Sequence, residues 1–160
     1  MTPAKLKLLR QLTRILPPGE TAFDEKTLQQ YAGDKWFAVH RPDAVARPRS
    51  TKSVSAVLRF AHRHGIPVTP RGAGHGYVGG CVPVRGGIVL SVERLNRIRE
   101  INPGDFVAVV QAGVITKDLQ EAVEKRGLFY PPDPASRGES FISGNIATNA
   151  GGPHCLKYGV

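Results

Sequence analysis

The sequence contains little sulfur and no long apolar run. Only two of its 160 residues are cysteines, Cys81 and Cys155, and they do not form a Cys-x-x-Cys pair. Two distant cysteines are too few for a disulfide framework, so both are predicted to be reduced thiols. No apolar stretch approaches the roughly 18 to 20 residues that a membrane-spanning helix needs. Residues 3–10 are charged where a signal peptide has its apolar core, which predicts a cytoplasmic protein.

Acidic residues are also scarce. The chain has 13 Asp and Glu against 22 Lys and Arg, and the formal net charge is +9. Such a charge is compatible with nucleic-acid binding, but the basic residues are scattered and are not interleaved with aromatics. An anionic cofactor and an anionic substrate would account for part of the charge equally well. The five histidines show no spacing typical of a metal site, and none is predicted.

Glycine, by contrast, is abundant and concentrated. Five glycines fall within residues 72–80, a density that disfavours both helix and strand because glycine loses the most backbone entropy on ordering. Consecutive backbone N–H groups in such a loop can form a concave nest for an anion such as a diphosphate. The alternative is a glycine-rich connection between strands without a ligand. The spacing is neither the G-x-G-x-x-G of a Rossmann fold nor that of a P-loop.

The segments before this loop predict a β-α-β unit. A first helix, starting at Pro3 after Thr2 and ending at Pro17, has Leu8, Leu12 and Ile15 at helical spacing. A short helix is predicted over residues 25–31, an irregular segment over 33–43 and a strand over 45–48. Ser50 or Thr51 caps the next helix, and Gly65 ends it before a strand at 66–69. Its predicted buried face consists of Val54, Val57, Leu58 and Ala61.

The second half of the chain repeats this alternation. Strands are predicted over residues 88–92, 106–111 and 128–130, with a turn at 102–105. Thr116 is predicted to cap a helix over residues 117–125 whose inward residues are Leu119, Ala122 and Val123. Residues 144–152 are small or carry amides and are predicted to form a second loop. Two such loops suggest one extended ligand held from two sides.

Four motifs in this order resemble the FAD-linked oxidases. They are residues 71–80, the Pro-Pro-Asp-Pro at 131–134, residues 144–152, and the Lys-Tyr-Gly at 157–159. The similarity extends from about Tyr31 to Val160. It is closest to the branch of the vanillyl-alcohol oxidase family that contains the glycolate oxidase D-subunit and D-lactate dehydrogenase.

The resemblance implies an α/β (α+β) fold of the PCMH type. Its first subdomain is the β-α-β unit, followed by the start of a second mixed α/β subdomain. Residues 1–43 are expected to form a helical lead-in, and residues 44–160 an FAD-binding domain that is incomplete at its C-terminus.

The resemblance also implies which residues contact FAD. The pyrophosphate would lie against the first loop, and Arg71 would either offer charge to the phosphates or act structurally as an ion-pair partner, the role we favour. The second half would flank the cofactor. The implied cofactor-binding residues are Arg71, Gly72, Ala73, Gly74, His75, Gly76, Gly79, Gly80, Pro132, Asp133, Ser136, Gly144, Asn145, Thr148 and Asn149. For Asn145 and Asn149, local turn formation is the alternative.

By the same resemblance the function is oxidation of a 2-hydroxy acid, of the glycolate or D-lactate type, by hydride transfer to flavin. The substrate-binding and metal-binding groups of the family lie beyond Val160, so no catalytic residue is named. Other oxidase subunits or an electron acceptor are conceivable partners. The spacing of Arg71 and His75 matches family members with a covalent histidyl flavin, but residues 76–80 follow the non-covalent branch, so a non-covalent flavin is predicted. Alternatives are a UDP-N-acetylenolpyruvoylglucosamine reductase, a molybdenum-hydroxylase flavin domain, or a non-catalytic nucleotide- or polyanion-binding module.

Overall fold

The computed structural model describes residues 2–159, which form two compact units, one ending at Arg94 and the other beginning at Leu95. The predicted mixture of helices and strands is confirmed. The first unit contains α1 (Pro3–Leu9), α2 (Leu12–Ile15), β1 (Thr21–Ala22), α3 (Glu25–Gln30), β2 (Ala44–Ala46), α4 (Thr51–Arg63), β3 (Val68–Arg71) and β4 (Ile88–Ser91). The second contains β5 (Ile98–Asn102), β6 (Val107–Val110), α5 (Thr116–Glu124), α6 (Ile142–Thr148) and α7 (Cys155–Tyr158).

The four strands of the first unit form one sheet in the order β1-β2-β4-β3. β2 and β3 both pair with β4 in parallel, and β1 pairs with β2 in antiparallel orientation. The β2-α4-β3 segment is therefore the predicted β-α-β unit, with β4 inserted between its two strands. The glycine-rich connection begins where β3 ends, at the carboxyl end of a parallel strand. Ligands of open α/β sheets characteristically bind at this edge.

Both faces of this sheet are covered, because alternate residues of a strand point to opposite sides. Ala44, Ala46, Ile88 and Leu90 pack with residues of α1, α2 and α4. Val45 and Val89, on the other face, pack with Leu28 and Tyr31 of the α3 region. The central strand β4 is fully buried, which explains its continuous Ile-Val-Leu run.

Helix α4 begins where the sequence predicts. Ser50 is its N-cap, and its hydroxyl accepts a hydrogen bond from the Ser53 backbone N–H at 3.1 Å. Such a cap contributes about 1 kcal/mol. The buried face differs from the prediction, because Leu58 is 46% exposed while Phe60 is only 4% exposed. The helix turns Ser53, Val57, Phe60 and Ala61 toward the sheet, a stripe that leaves Leu58 on the solvent side.

The first predicted helix is in fact two. Thr2 caps α1, but the chain breaks around Arg10 and continues as the short helix α2. The break rotates the apolar stripe, so Leu9, Leu12 and Leu16 are buried while Ile15 is 44% exposed. These residues belong to the same core as α4. Lys5 forms a 2.5 Å ion pair with the nearly buried Asp43, which also accepts a hydrogen bond from the Gly87 N–H at 2.7 Å.

The second unit is built on an antiparallel pair, β5 and β6. The predicted turn joins them, with Asn102 Oδ1 accepting hydrogen bonds from the N–H groups of Gly104 and Asp105. Phe106 completes the turn at φ 57° and precedes the strand that it was predicted to start. α5 packs against the pair through Leu119 and Val123, together with Val114 and Ile142.

Three further sequence predictions in this unit are wrong. Thr116 is the first residue of α5 and not its cap, since its hydroxyl donates to the Ser140 carbonyl at 3.2 Å. Residues 128–130 are irregular, because they have no neighbouring strand to pair with. Residues 144–148, predicted as loop, lie in α6. The apolar residues Phe141 and Ile142 precede them, and Ile146 lies among them. Asn149 follows the helix as its C-cap, in the left-handed region at φ 53°.

Within residues 2–159 the longest helix has 13 residues, and no helix combines the length and the apolar character needed to cross a membrane. The same range contains no group of three or more His, Cys, Asp or Glu side chains arranged to hold a metal ion.

Candidate functional site

The glycine loop leaves β3 at Arg71 and runs to β4, as predicted from its composition. Gly74 and Gly79 adopt φ values of +78° and +71°, which residues with a side chain rarely adopt. Within the described part of the chain, the N–H groups of Gly72, Ala73, Gly74 and Gly76 donate no hydrogen bond. Buried or ordered N–H groups normally have an acceptor. Four available donors in five residues are what an anion-binding loop requires.

Arg71 lies beneath this loop. Its Nη1 donates to the Gly33 carbonyl at 2.5 Å and to Cys81 Sγ at 3.2 Å. Its guanidinium also stands over the Tyr31 ring, 5.4 Å from the centroid. These contacts favour the structural role of Arg71, although its acceptors are a carbonyl and a thiol rather than a carboxylate. A direct contact of Arg71 with phosphate remains a prediction.

Gly74 rests directly on Arg71. A Cβ placed on Gly74 would overlap the guanidinium, whose carbon would be only 2.6 Å away. Arg71 therefore requires glycine above it, independently of the φ requirement. This packing fixes the height of the loop relative to the end of β3.

A concavity of about 370 Å³ opens beside the loop. One wall is the loop itself, and the other is the end of α3 with the irregular segment that follows it. The Lys35 N–H donates to the Gly76 carbonyl at 3.0 Å and joins the two walls. The lining residues are Gln29, Gln30, Gly33, Asp34, Lys35, Val39, Arg71, Ala73, Gly74 and His75. The sequence prediction covered only the loop wall, because the other wall is formed by an irregular segment whose position depends on tertiary packing.

Gly79 and Gly80, the other predicted residues of this loop, lie farther along it. Trp36 and Val82 side chains would be 3.9 Å from a Cβ on Gly79, so the position is close to its neighbours without overlap. Gly80 is exposed. The remaining loop residue of the prediction, His75, is partly buried.

The residues predicted to flank the cofactor in the second unit are largely engaged in internal contacts. The Pro132 carbonyl accepts from Gln120 Nε2 at 2.8 Å, and Asp133 pairs with Arg137 at 3.0 Å. The Ser136 carbonyl accepts from the N–H groups of Glu139 and Ser140. The structure thus holds this segment in place by the carbonyl groups of Pro132 and Ser136 and by the ion pair of Asp133.

The predicted residues of α6 differ in exposure. Asn145 is 6% exposed, and its Nδ2 donates to Thr116 Oγ1 in the interior. Gly144 is partly buried, and its carbonyl accepts from the Thr148 hydroxyl at 2.8 Å. Thr148 and Asn149 are exposed. For Asn145, the described side-chain contact joins α5 and α6, and its contact with the cofactor stays a prediction.

One cysteine and two tyrosines have a raised pKa. Burial raises the pKa of the Cys81 thiol, and the adjacent Arg71 only partly opposes this effect. Burial and a 2.5 Å hydrogen bond to Glu93 raise the pKa of Tyr31, and burial raises that of Tyr130. At neutral pH all three are therefore protonated. Cys81 is not a reactive thiolate, which leaves it a packing and hydrogen-bonding role under the loop.

Comparison with solved structures supports this description of the fold. Alkyldihydroxyacetonephosphate synthase has a TM-score of 0.86 at 23% identity, over 96% of this chain and 31% of that one. A 4-ethylphenol oxidase from Gulosibacter chungangensis has a TM-score of 0.76 at 29% identity, over 89% of this chain and 29% of that one. The fold class is thus the mixed α/β fold of PCMH-type FAD-dependent oxidases.

The family follows from the sequence comparisons. Residues 42–160 match the family described as FAD binding domain, and the chain belongs to that family. It is 50% identical over 119 residues to the glycolate oxidase subunit GlcD of Bacillus subtilis, covering 74% of this chain and 25% of the relative. It is 45% identical over 121 residues to the D-lactate dehydrogenase of Anaerostipes hadrus, covering 74% of this chain and 25% of that relative.

A third relative matches almost the whole chain. The D-2-hydroxyglutarate dehydrogenase of Stutzerimonas stutzeri is 39% identical over 155 residues, which is 96% of this chain and 33% of that protein. The chain therefore spans about a quarter to a third of the length of these curated relatives. The segment before residue 42, which carries one wall of the concavity, lies outside the family match but inside this longer similarity.

Proposed function

We propose that this chain is the FAD-binding portion of a flavin-dependent oxidoreductase that converts a 2-hydroxy acid to the 2-oxo acid. The observation that carries the proposal is the row of available N–H donors at Gly72, Ala73, Gly74 and Gly76, in a loop whose residues Ala73 and Gly74 line the concavity. The relatives named above support the substrate class, since each is named for a 2-hydroxy acid.

The loop fits a diphosphate in both shape and electrostatics. Peptide N–H groups that converge on one side stabilise phosphate oxygens, and the positive charge of Arg71 below the loop adds to the attraction. When bound, FAD supplies the electron acceptor for oxidation of the substrate carbon. This chain's contribution is to bind and orient the cofactor. Residues 132–136 and 144–149 of the second unit remain proposed cofactor contacts. The division of the chain into a lead-in over residues 1–43 and an FAD-binding domain over residues 44–160 also remains a proposal.

The oxidation removes two electrons and two protons from the hydroxyl-bearing carbon and its oxygen. A group that accepts the hydroxyl proton and a cation that holds the carboxylate are needed, and no residue described here is assigned to either task. The name of the Bacillus subtilis relative, glycolate oxidase subunit GlcD, supports the proposal that further subunits take part. A cytoplasmic location stays a proposal.

We expect the 160-residue chain to bind FAD only weakly, with a dissociation constant above about 1 µM, or about −8 kcal/mol, and to lack dehydrogenase activity. It spans at most a third of the relatives above, so cofactor contacts made by their remaining parts are missing. Isothermal titration with FAD, together with amide chemical shifts of residues 72–76, tests both affinity and place. A dissociation constant below 1 µM would contradict the expected weakness, and shifts confined to other residues would contradict the proposed site.

His75 is expected not to carry a covalent flavin. It is partly buried in a loop whose following residues match the non-covalent branch. The test is to load the protein with excess FAD, precipitate it in acid, and measure flavin fluorescence in supernatant and pellet. All of the flavin should appear in the supernatant. Flavin that stays in the wild-type pellet but not in the pellet of His75→Ala would show that the link exists.

A further inference from the structure

A lysine outside the family match lines the concavity beside the glycine loop. Lys35 lies seven residues before the start of the match at residue 42. It lines the concavity, and its backbone N–H is bonded to the Gly76 carbonyl at 3.0 Å. This bond fixes the origin of the Lys35 side chain next to the last N–H donor of the loop.

The charges around the concavity explain why this lysine matters. Its lining contains three residues that can carry positive charge, Lys35, Arg71 and His75. Nη1 of Arg71 is committed beneath the loop to Gly33 and Cys81. Within residues 2–159 the Lys35 ammonium has no ion pair or hydrogen bond, and the residue is exposed. Lys35 can therefore move to meet an anion, whereas Arg71 is held by its internal partners.

One acidic group lies in the same lining. Asp34 Oδ1 accepts from the Trp36 N–H at 2.8 Å, and its Oδ2 is buried without a hydrogen-bond partner. A carboxylate near the loop opposes a bound diphosphate through Coulomb repulsion. A mobile ammonium on the next residue offsets this repulsion and leaves the lining with net positive charge.

We propose that Lys35 is a diphosphate-binding residue, which contacts the phosphates of the nucleotide held by the loop N–H groups. The inference rests on the proposed function and adds to it a residue outside the matched domain. A lysine suits this role because its ammonium acts as a compact charge that needs no fixed geometry. In this arrangement the loop N–H groups set the position of the phosphates, and Lys35 closes over them from the opposite wall.

The test uses the 160-residue chain, with the amide shifts of residues 72–76 as readout and pyrophosphate, ADP, FAD and adenosine as probes. Lys35→Met should weaken the binding of pyrophosphate and ADP by about three- to ten-fold. It should also make their dissociation constants depend less on salt concentration. Lys35→Arg should restore most of the affinity. Lys26→Met is the matched control, because Lys26 is also exposed but does not line the concavity. The affinity for adenosine, which has no phosphate, should be the same in all three variants as in wild type.

The outcomes separate the two proposals. If FAD and pyrophosphate shift the loop amides equally well in wild type and Lys35→Met, the role of Lys35 is wrong and the cofactor site stands. The role of Lys35 is also wrong if Lys26→Met has the same effect, since the effect is then one of overall charge. If neither FAD nor pyrophosphate at millimolar concentration shifts the loop amides, the proposed site itself fails, and Lys35 with it.

Discussion

A Gly74→Val protein is expected to lose measurable nucleotide binding at the glycine loop and to be less stable than wild type by about 2 to 4 kcal/mol. Gly74 has φ +78°, a conformation that a β-branched residue strongly resists. Its new Cβ would also overlap the Arg71 guanidinium. Relief of that overlap must displace either the loop or Arg71 from Gly33 and Cys81. In both cases the loop and its available N–H groups are displaced from their present positions.

Gly19→Val separates the two causes. Gly19 has a φ of +79° but nothing within 4 Å of its Cβ position, so it measures the backbone strain without the overlap. Urea unfolding gives the stability of each variant, and titration with ADP or pyrophosphate gives binding. We expect Gly74→Val to be clearly the less stable of the two. The assignment of this loop would be refuted if the ligand shifted the loop amides of a folded Gly74→Val protein as much as those of wild type.

Replacement of Gly152 by alanine is expected to be the most damaging small change in the second unit, with a loss of about 3 kcal/mol or more in the free energy of unfolding. Gly152 has φ +74°, and a Cβ there would overlap the Asp133 carbonyl oxygen and carbon. The neighbouring Gly151 carbonyl accepts from the Asp133 N–H at 2.8 Å, so the two segments cannot move apart without losing that bond. The obstacle is backbone, which cannot rotate away as a side chain can.

Gly127→Ala is the matched control for this prediction. Gly127 has the same φ of +74° and open space around its Cβ position. The free energy of unfolding of Gly127→Ala should fall only by the strain of an alanine in the left-handed region, about 1 to 2 kcal/mol. Thermal unfolding followed by circular dichroism compares the two. Equal losses would mean that the contact between residues 133 and 152 contributes nothing to stability.

The sequence predicted the parts of the fold whose cause is local. The cap at Ser50, the end of α4 at Gly65 and the loop of residues 72–76 depend on a few neighbouring residues, and the structure has them where predicted. The β-α-β unit formed by β2, α4 and β3 was also predicted, whereas the place of β4 between its two strands was not. The resemblance to FAD-linked oxidases was confirmed by the family match over residues 42–160.

The errors have a common cause, which is dependence on distant contacts. Residues 144–148 are poor helix formers by composition, but the burial of Ile142 in the second core and the backbone bridge between Phe141 and Ile115 override that preference. Residues 128–130 have strand composition but no partner strand. Nothing in the sequence indicates the hydrogen bond between Asn145 and Thr116, because only the fold brings the two side chains together, and the cofactor contact of Asn145 stays a prediction. The wall of the concavity formed by Asp34 and Lys35 was missed because an irregular segment has no periodicity that could place it.

The position of β4 between β2 and β3 governs the order in which the first unit can assemble. During synthesis, β2 and β3 emerge before the strand that pairs with both of them. Their parallel pairing must wait until residues 88–91 have left the ribosome, after the whole glycine-rich connection. Until then β3 is an unpaired strand followed by a flexible stretch, and parallel pairings of this kind form slowly. The length and stiffness of the glycine loop thus affect the folding rate of the protein as well as the nucleotide binding proposed for this loop.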